Sequence, residues 1–395
     1  MSPAIRSDAT RTILALNSGS SSLKFGLYRI WPSKTEMLVS GEAEAIGEPD
    51  ATFHVIDAQG RPLQSEAIPI DNQGDVVARI GKFLVDGKFP IAAAVGHRVV
   101  HGGPTLLQHC LIDDAVVSQL EKAIPFAPLH IPSALAVIRF ARANFHNCPQ
   151  VACFDTSFHA DLPDVASTLP IPKELRSRGI RRYGFHGLSC ESIVRQLKAD
   201  LPERLIIAHL GNGASVTAVQ SGKSVDTSMG LTPTGGVIMG TRTGDLDPGV
   251  LVYLIREKKL DVTELEELVD HRSGLLGISG FDSDMRRLHE VALSNDDARL
   301  AIEMFCYSVR KQIAAMIAVL GGVDMVVFTG GIGENDEVAR AMICEGLSWA
   351  GIGQAETRSW TGRDSVPDSK VSVLTSQEDE QIARHAWALQ AHRDG

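Results

Sequence analysis

The chain has 395 residues, 44% hydrophobic and 22% charged, with 38 basic and 48 acidic side chains for a net charge of −10. That length can hold two or three domains with sizeable cores, and the composition is that of a soluble globular protein. The acidic balance argues against a general nucleic-acid binder or a binder of acidic membranes, while leaving room for a local basic pocket.

In chain order, Met1–Thr12 is polar and lacks the apolar core of a signal peptide. An apolar run, Ile13 to Leu16, stops at Asn17. The small residues Ser18-Gly19-Ser20-Ser21-Ser22 follow, and then Leu23, Phe25 and Leu27 alternate with Lys24, Gly26 and Tyr28. This predicts strand, tight turn, strand. The turn reads either as an ordinary Ser/Gly hairpin or as one that offers hydroxyls and backbone N–H groups to an anion, with Asn17 and Lys24 beside it. Strands are predicted at 92–95, 151–154, 205–208 and 325–328. Helices are predicted at 132–144, 191–198, 298–320, 336–345 and 378–391. This alternation is the α/β signature. The Pro- and charge-rich segment 163–182 reads as a crossing between halves or a surface excursion. The apolar stretch 313–328 contains Gly321, Gly322 and Asp324, and reads as buried helix, turn and strand rather than a membrane span.

A second hairpin echoes the first. Leu205 to Leu210 is apolar apart from His209, Gly211-Asn212-Gly213 is a small turn, and Ala214 to Val219 returns. Two such turns suggest two similar α/β halves, each with a phosphate-holding hairpin. The six cysteines, at 110, 148, 153, 190, 306 and 344, include no C-x-x-C pair. They therefore indicate no zinc or redox pair, and they fit a reducing cytoplasm.

Several motifs lie where strands end, the place where open α/β sheets bind ligands. Arg98, in Gly96-His97-Arg98-Val99-Val100-His101-Gly102-Gly103, can fork onto a carboxylate or phosphate, or form a surface salt bridge. Asp155, after the strand predicted at 151–154, suits a metal or substrate group as well as a turn cap, while His159 reads as structural. His186 lies in a glycine-flanked loop and its protonated ring could stabilise developing negative charge. Met229 to Gly249 holds six glycines and a single arginine, Arg242. Such a run is better shaped around a small ligand than folded into a dry core. Gly330-Gly331-Ile332-Gly333-Glu334-Asn335 suits a nucleotide at a helix start. It lacks the third glycine of the Rossmann fingerprint, and no Walker A pattern occurs.

In this order, the segments Asn17 to Phe25, His97 to Gly103, Phe154 to His159, Arg182 to Gly187, His209 to Ser215, Gly240 to Pro248 and Gly330 to Asn335 resemble acetate kinases nearly end to end. The resemblance implies an α/β, duplicated actin-like (ribonuclease H-like) two-domain fold with a central nucleotide cleft. Residues 1–154 with 377–395 would form the first domain and 155–376 the second. It implies reversible phosphorylation of acetate by ATP through direct in-line transfer, Mg²⁺ with Mn²⁺ able to replace it, and a homodimer; the acidic balance, the polar start and the scattered cysteines add a cytoplasmic protein with no nucleic-acid or membrane partner. By resemblance, Arg98 and Arg242 clamp the carboxylate and the transferring phosphoryl group. Asp155, His186 and His130 join them as catalytic residues. Asn17 and Glu378 serve the metal, and Val100, Leu129, Phe185 and Pro233 line the acyl pocket together with Arg98. ATP falls to Asn17, Lys24, His209, Gly211, Asn212, Gly213, Asp284, Met285, Arg286, Gly330, Gly331, Ile332, Gly333 and Asn335. Two contexts depart from the family: Glu378 stands in Ser376-Gln377-Glu378-Asp379-Glu380, so Asp379 competes with it, and Met285 stands where an aromatic is common. Propionate or butyrate as acceptor, an Hsp70- or actin-like ATPase module, and a phosphatase of the same superfold are the other readings.

Overall fold

The structure is a computed structural model that describes residues 10–19, 21–146, 148–353 and 370–391. Ser20 of the first turn and residues 1–9 of the polar start lie outside the described residues. The chain divides into two compact units, residues 1–157 with 377–395, and residues 158–376.

The first unit is built on an eight-stranded sheet. Its strands are β1 (Arg11–Ser18), β2 (Leu23–Ile30), β3 (Thr35–Glu44), β4 (Thr52–Asp57), β5 (Pro62–Ala67), β6 (Ala94–Val99), β7 (Cys110–Leu111) and β8 (Gln150–Phe154), in the order β5-β4-β3-β2-β1-β6-β8-β7. The hairpin β1–β2 and the strands β3 to β5 are antiparallel, while β1, β6 and β8 run parallel. The helix Gln73–Asp86 starts at Asn72, whose side chain accepts from the N–H groups of Gly74 and Asp75. It buries Val76, Val77, Ile80 and Leu84 with Leu14, Leu16, Phe25 and Phe53 of the sheet. Each such side chain contributes roughly 1.5–3 kcal/mol when fully removed from water. The helix Glu378–Ala391 packs on β1, β2, β6 and β8. Gly96 permits the approach: a Cβ there would sit 2.7 Å from the Ile382 side chain and 3.0 Å from its carbonyl. This packing carries Glu378 and Asp379 to the end of β1.

The second unit repeats the core of this pattern. Its sheet has the strands β9 (Arg204–Leu210), β10 (Ala214–Gln220), β11 (Lys223–Thr227), β12 (Met325–Thr329) and β13 (Val371–Val373), in the order β11-β10-β9-β12-β13. β9 to β11 are antiparallel, and β9, β12 and β13 parallel. The helix Asp296–Leu320 covers the sheet with Phe305, Val309, Ile313 and Met316, spaced three and four apart, and stops at Gly321 in the left-handed region (φ 66°). The apolar stretch from Ile313 therefore does end as helix, turn and strand.

Element boundaries moved where tertiary partners override local pattern. The strand expected at 92–95 runs over Ala94–Val99, because β1 and β8 pair with its backbone on both sides. The helix expected from Glu191 begins at Gly187. The glycine run Gly330–Asn335 is itself a helical turn, and Asp336 caps the next helix, Glu337–Glu345, by accepting from the N–H of Ala339. The excursion 163–182 holds two short helical turns, Asp164–Ser167 and Lys173–Arg176.

Candidate active site

In the first unit a polar cluster forms where β1, β6 and β8 end. Asn17, at the close of β1, donates its amide to Asp379 (2.9 Å) and Glu378 (3.3 Å). Its carbonyl oxygen accepts from Arg98 Nη1 at 3.4 Å. Arg98 then forks onto one oxygen of Asp155 with Nε (2.9 Å) and Nη2 (2.6 Å). Asp155 is 1% exposed. Burial opposes the Arg98 charge, but Asp155, Glu378 and Asp379 together raise its pKa above the ordinary arginine value. At Asp379, burial and then the neighbouring Glu378 carboxylate raise the pKa, against the Asn17 amide and the charges of Lys24 and Arg98.

The donor set of Asn17, Asp155, Glu378 and Asp379 offers hard oxygens, and the carboxylates of Glu378 and Asp379 crowd each other. Both features suit a divalent cation of the magnesium type. Asp379, only weighed against Glu378 in the sequence, shares the Asn17 amide with it.

Other expected residues of this unit are placed more loosely. Lys24 pairs with Asn17 across the hairpin, is exposed and bridges to Glu42 at 3.7 Å. His130 is half-buried at the start of the helix Ile131–Asn144. Val100 is buried and Leu129 exposed. Ser133 donates to the Gly19 carbonyl at 3.1 Å and so ties the first turn to that helix. His97 is fully buried with Nε2 2.7 Å from the Gln150 amide oxygen, and burial lowers its pKa to about 4, so it is a neutral packing group.

In the second unit the cluster is cationic and glycine-rich. His186 adopts a left-handed backbone (φ 59°, ψ 26°) at the start of the helix Gly187–Leu197. A non-glycine residue held there costs of order 1 kcal/mol and is informative for that reason. Its Nδ1 lies 3.0 Å from Ser215 Oγ, and its ring stacks on His209 at 4.2 Å between centroids. A Cβ added at Gly213 would lie 3.3 Å from His186 Nε2 and 3.4 Å from Arg242 Nη1. Both groups thus converge on the bare Cα of Gly213, where a side chain would crowd them. Arg242 also donates to the Pro233 carbonyl at 3.2 Å.

The turn Gly211-Asn212-Gly213 closes by Gly211 N–H to Gly213 C=O at 3.0 Å, and Gly240 N–H donates to the Asn212 carbonyl. A Cβ at Gly240 would collide with Asn212 Oδ1, which explains one glycine of the long loop. Gly330 (φ 78°) lies against the Leu210 backbone, and the Gly331 N–H lies 3.8 Å from the Cβ position of Gly211, so the two glycine turns adjoin. Asn335 donates to the Gly331 carbonyl. Ile332 and Gly333 lie within the same helical turn. Asp284 caps the helix Met285–Val291 and pairs with the exposed Arg286 at 2.6 Å, while Met285 is 3% exposed and packs inward. Phe185 and Pro233 are buried. His159 is a pillar: its ring nitrogens meet Ser224 Oγ and the Phe185 carbonyl, and burial lowers its pKa to about 4.

Two residues, Glu334 within the glycine motif and Arg340 in the helix after it, hold this turn in ways that the sequence alone does not show. Glu334 Oε1 accepts from the N–H groups of Gly330 and Ser376, both at 2.9 Å. The buried Arg340 donates to the carbonyls of Gly333 and Glu334. Together they clasp the glycine turn from its two ends. An acid in a glycine run, followed by an arginine six residues on, was the available signal.

The acetokinase family model matches residues 12–384. An acetate kinase from Rhodopseudomonas palustris is 40% identical, with 95% of this chain and 98% of that protein covered. Among solved structures, a propionate kinase from Francisella tularensis superposes with a TM-score of 0.86 at 36% identity, covering 96% of this chain and all of that one. The acetate kinase of Porphyromonas gingivalis gives 0.82 at 33% identity, with the same coverage.

Proposed function

We propose a division of labour among these residues, on the premise that the chain belongs to the acetokinase family and phosphorylates acetate with ATP. A carboxylate is already ionised at neutral pH and needs no general base. The obstacle is bringing one anion to a polyanion, which calls for cations and positioning rather than a protein nucleophile. In the transfer a carboxylate oxygen bonds to the γ-phosphorus, the bridging P–O bond breaks, and ADP departs with that oxygen.

The observation that carries the reading is the convergence of His186 Nε2 and Arg242 Nη1 on Gly213. Both are donors of the kind that stabilises charge on equatorial phosphoryl oxygens. The turns Gly211–Gly213 and Gly330–Asn335, whose first N–H groups are taken by the Gly213 carbonyl and by Glu334, present their remaining backbone N–H groups to the nucleotide. Arg98, oriented by Asp155, orients the acceptor carboxylate, and His130 supports the transferring group. Val100 and Leu129 of the first unit, and Phe185 and Pro233 of the second, are assigned to the acyl group of the acceptor. Asp284, Met285 and Arg286 form the adenosine side, with Met285 as a floor rather than a stacking surface. Asn17, Asp155, Glu378 and Asp379 hold Mg²⁺ (or Mn²⁺), whose chemistry when bound is to neutralise phosphate charge.

The enzyme is proposed to be a cytoplasmic homodimer without nucleic-acid or membrane partners. None of the six cysteines, all among the described residues, is in a disulfide, which fits a reducing compartment. No helix among the described residues is long and apolar enough to cross a membrane. The helix Pro248–Lys258 buries none of its residues, and Val252, Tyr253 and Ile255 are about half-exposed, an apolar face suited to a second copy.

The test is hydroxylamine trapping of the acyl phosphate formed from ATP, Mg²⁺ and formate, acetate, propionate or butyrate. Acetate is expected to give the highest kcat/KM. A higher value for propionate reassigns the acceptor. ATP hydrolysis without trapped product for any acid points to the ATPase or phosphatase readings.

A further inference from the structure

Behind the stacked histidines of the second unit lies a line of hydroxyls that the reaction as described does not use. Ser189, fully buried in the first turn of the helix Gly187–Leu197, has its Oγ 2.8 Å from His209 Nδ1. The Ser376 hydroxyl donates to the same Ser189 oxygen at 2.9 Å. Ser376 is held in turn by Glu334, which accepts its N–H at 2.9 Å while also accepting that of Gly330. Ser376 is the last residue of the second unit, and the chain passes from it into Gln377 and Glu378.

Counting protons assigns the direction of this line. A serine hydroxyl carries one hydrogen. Ser376 spends its own on Ser189, so the hydrogen of Ser189 goes to His209 Nδ1. That nitrogen is then an acceptor, and the ring proton of His209 resides on Nε2. The His209 ring is thereby held neutral while it stacks on His186. Two adjacent imidazolium rings would repel, so a neutral His209 places no like charge beside His186.

We propose that Ser189, oriented by Ser376, is a positioning residue for phosphoryl transfer that locks His209 in its neutral, Nε2-protonated tautomer beside His186. This deepens the reading above and rests on His186 acting at the transferring phosphoryl group. It also gives the Glu334 clasp a second use, since the same carboxylate holds the nucleotide turn at Gly330 and the hydroxyl that starts the line.

The experiment compares the full-length enzyme with Ser189→Ala and Ser376→Ala, reading kcat, the KM for ATP and for acetate, and the ¹⁵N–¹H correlations of its histidine rings. His209→Gln assigns the His209 signals. In the unaltered enzyme His209 should show the Nε2-protonated pattern. Ser189→Ala should lose that pattern and lower kcat roughly tenfold, the effect of one ordinary hydrogen bond, with both KM values within about twofold. Ser376 is only half-buried, so Ser376→Ala is the milder variant, and it should move the pattern and kcat the same way by less. A His209 pattern that persists in Ser189→Ala, or a kcat that stands unchanged once the pattern is lost, overturns the proposal. His186→Ala is the separate control: normal turnover there overturns the role of His186, whereas the tautomer of His209 is still read directly from the spectra.

Discussion

The two sheets carry the same hairpin and parallel pair but opposite chemistry around them. At the ends of β1, β6 and β8, three carboxylates gather about one arginine and one asparagine. At the ends of β9 and β12, two histidines and an arginine border glycine turns. A shared backbone topology thus gathers polar side chains and glycine turns at strand ends in both units, the place where open α/β sheets bind ligands, while the side chains decide which kind each suits. The acidic cluster suits a cation, and the glycine turns suit phosphate. The arginines show the contrast best. Arg98 is committed to a buried carboxylate, whereas the contacts of Arg242 in its loop include a backbone carbonyl and the Met239 sulfur.

That contrast can be broken by substitution. The largest effect is expected from Arg242→Ala: kcat should fall ~10³-fold or more, with the KM for ATP within a few-fold. Near-normal turnover in steady-state assays would remove Arg242 from the mechanism. Arg98→Ala should lose comparable activity and in addition about 3–5 kcal/mol of stability, because Asp155 is left buried without its paired cation. Urea unfolding should separate the two arginines, and adding Asp155→Ala should recover stability without activity. Equal stability losses for Arg98→Ala and Arg242→Ala would show that the pairing difference has no energetic weight.

A smaller effect sharpens what the units share. His97 in the first and His159 in the second are each buried, with pKa lowered to about 4. The unfolded chain binds these protons near pH 6.5, so each contribution is present above that pH and is lost as pH falls from about 6.5 towards 4. The loss is of order 3 kcal/mol per histidine. Unfolding free energies measured across that window should decline steeply, and His97→Gln or His159→Asn should flatten the slope. The smallest effect is expected from Gly330→Ala, at roughly 1–2 kcal/mol, since a left-handed backbone disfavours a side chain and its Cβ would meet Leu210. A raised KM for ATP should accompany it, and an unchanged KM would detach this turn from the nucleotide.

Much of this was legible in one dimension. Alternation of apolar residues, small-residue turns and glycine runs are local signals, and they marked both hairpins, β8, β12 and the helix Asp296–Leu320. The order of motifs marked the family. By itself, then, the sequence determined the α/β class, the doubled hairpin, the kinase family, and Asn17, Asp155, Arg98, His186 and Arg242 as the residues to examine. Only the tertiary structure decided that Asp379 shares Asn17 with Glu378, that Met285 faces inward, that Glu334 clasps Gly330, and that Ser189 stands between Ser376 and His209. The physical reason is range. A turn or an amphipathic helix is written in neighbouring residues, but Asn17 meets Asp379 across 362 positions and Ser189 meets Ser376 across 187. Which groups meet over such separations is decided by how sheets and helices pack, down to the missing Cβ of Gly96 that lets the last helix reach the first strands.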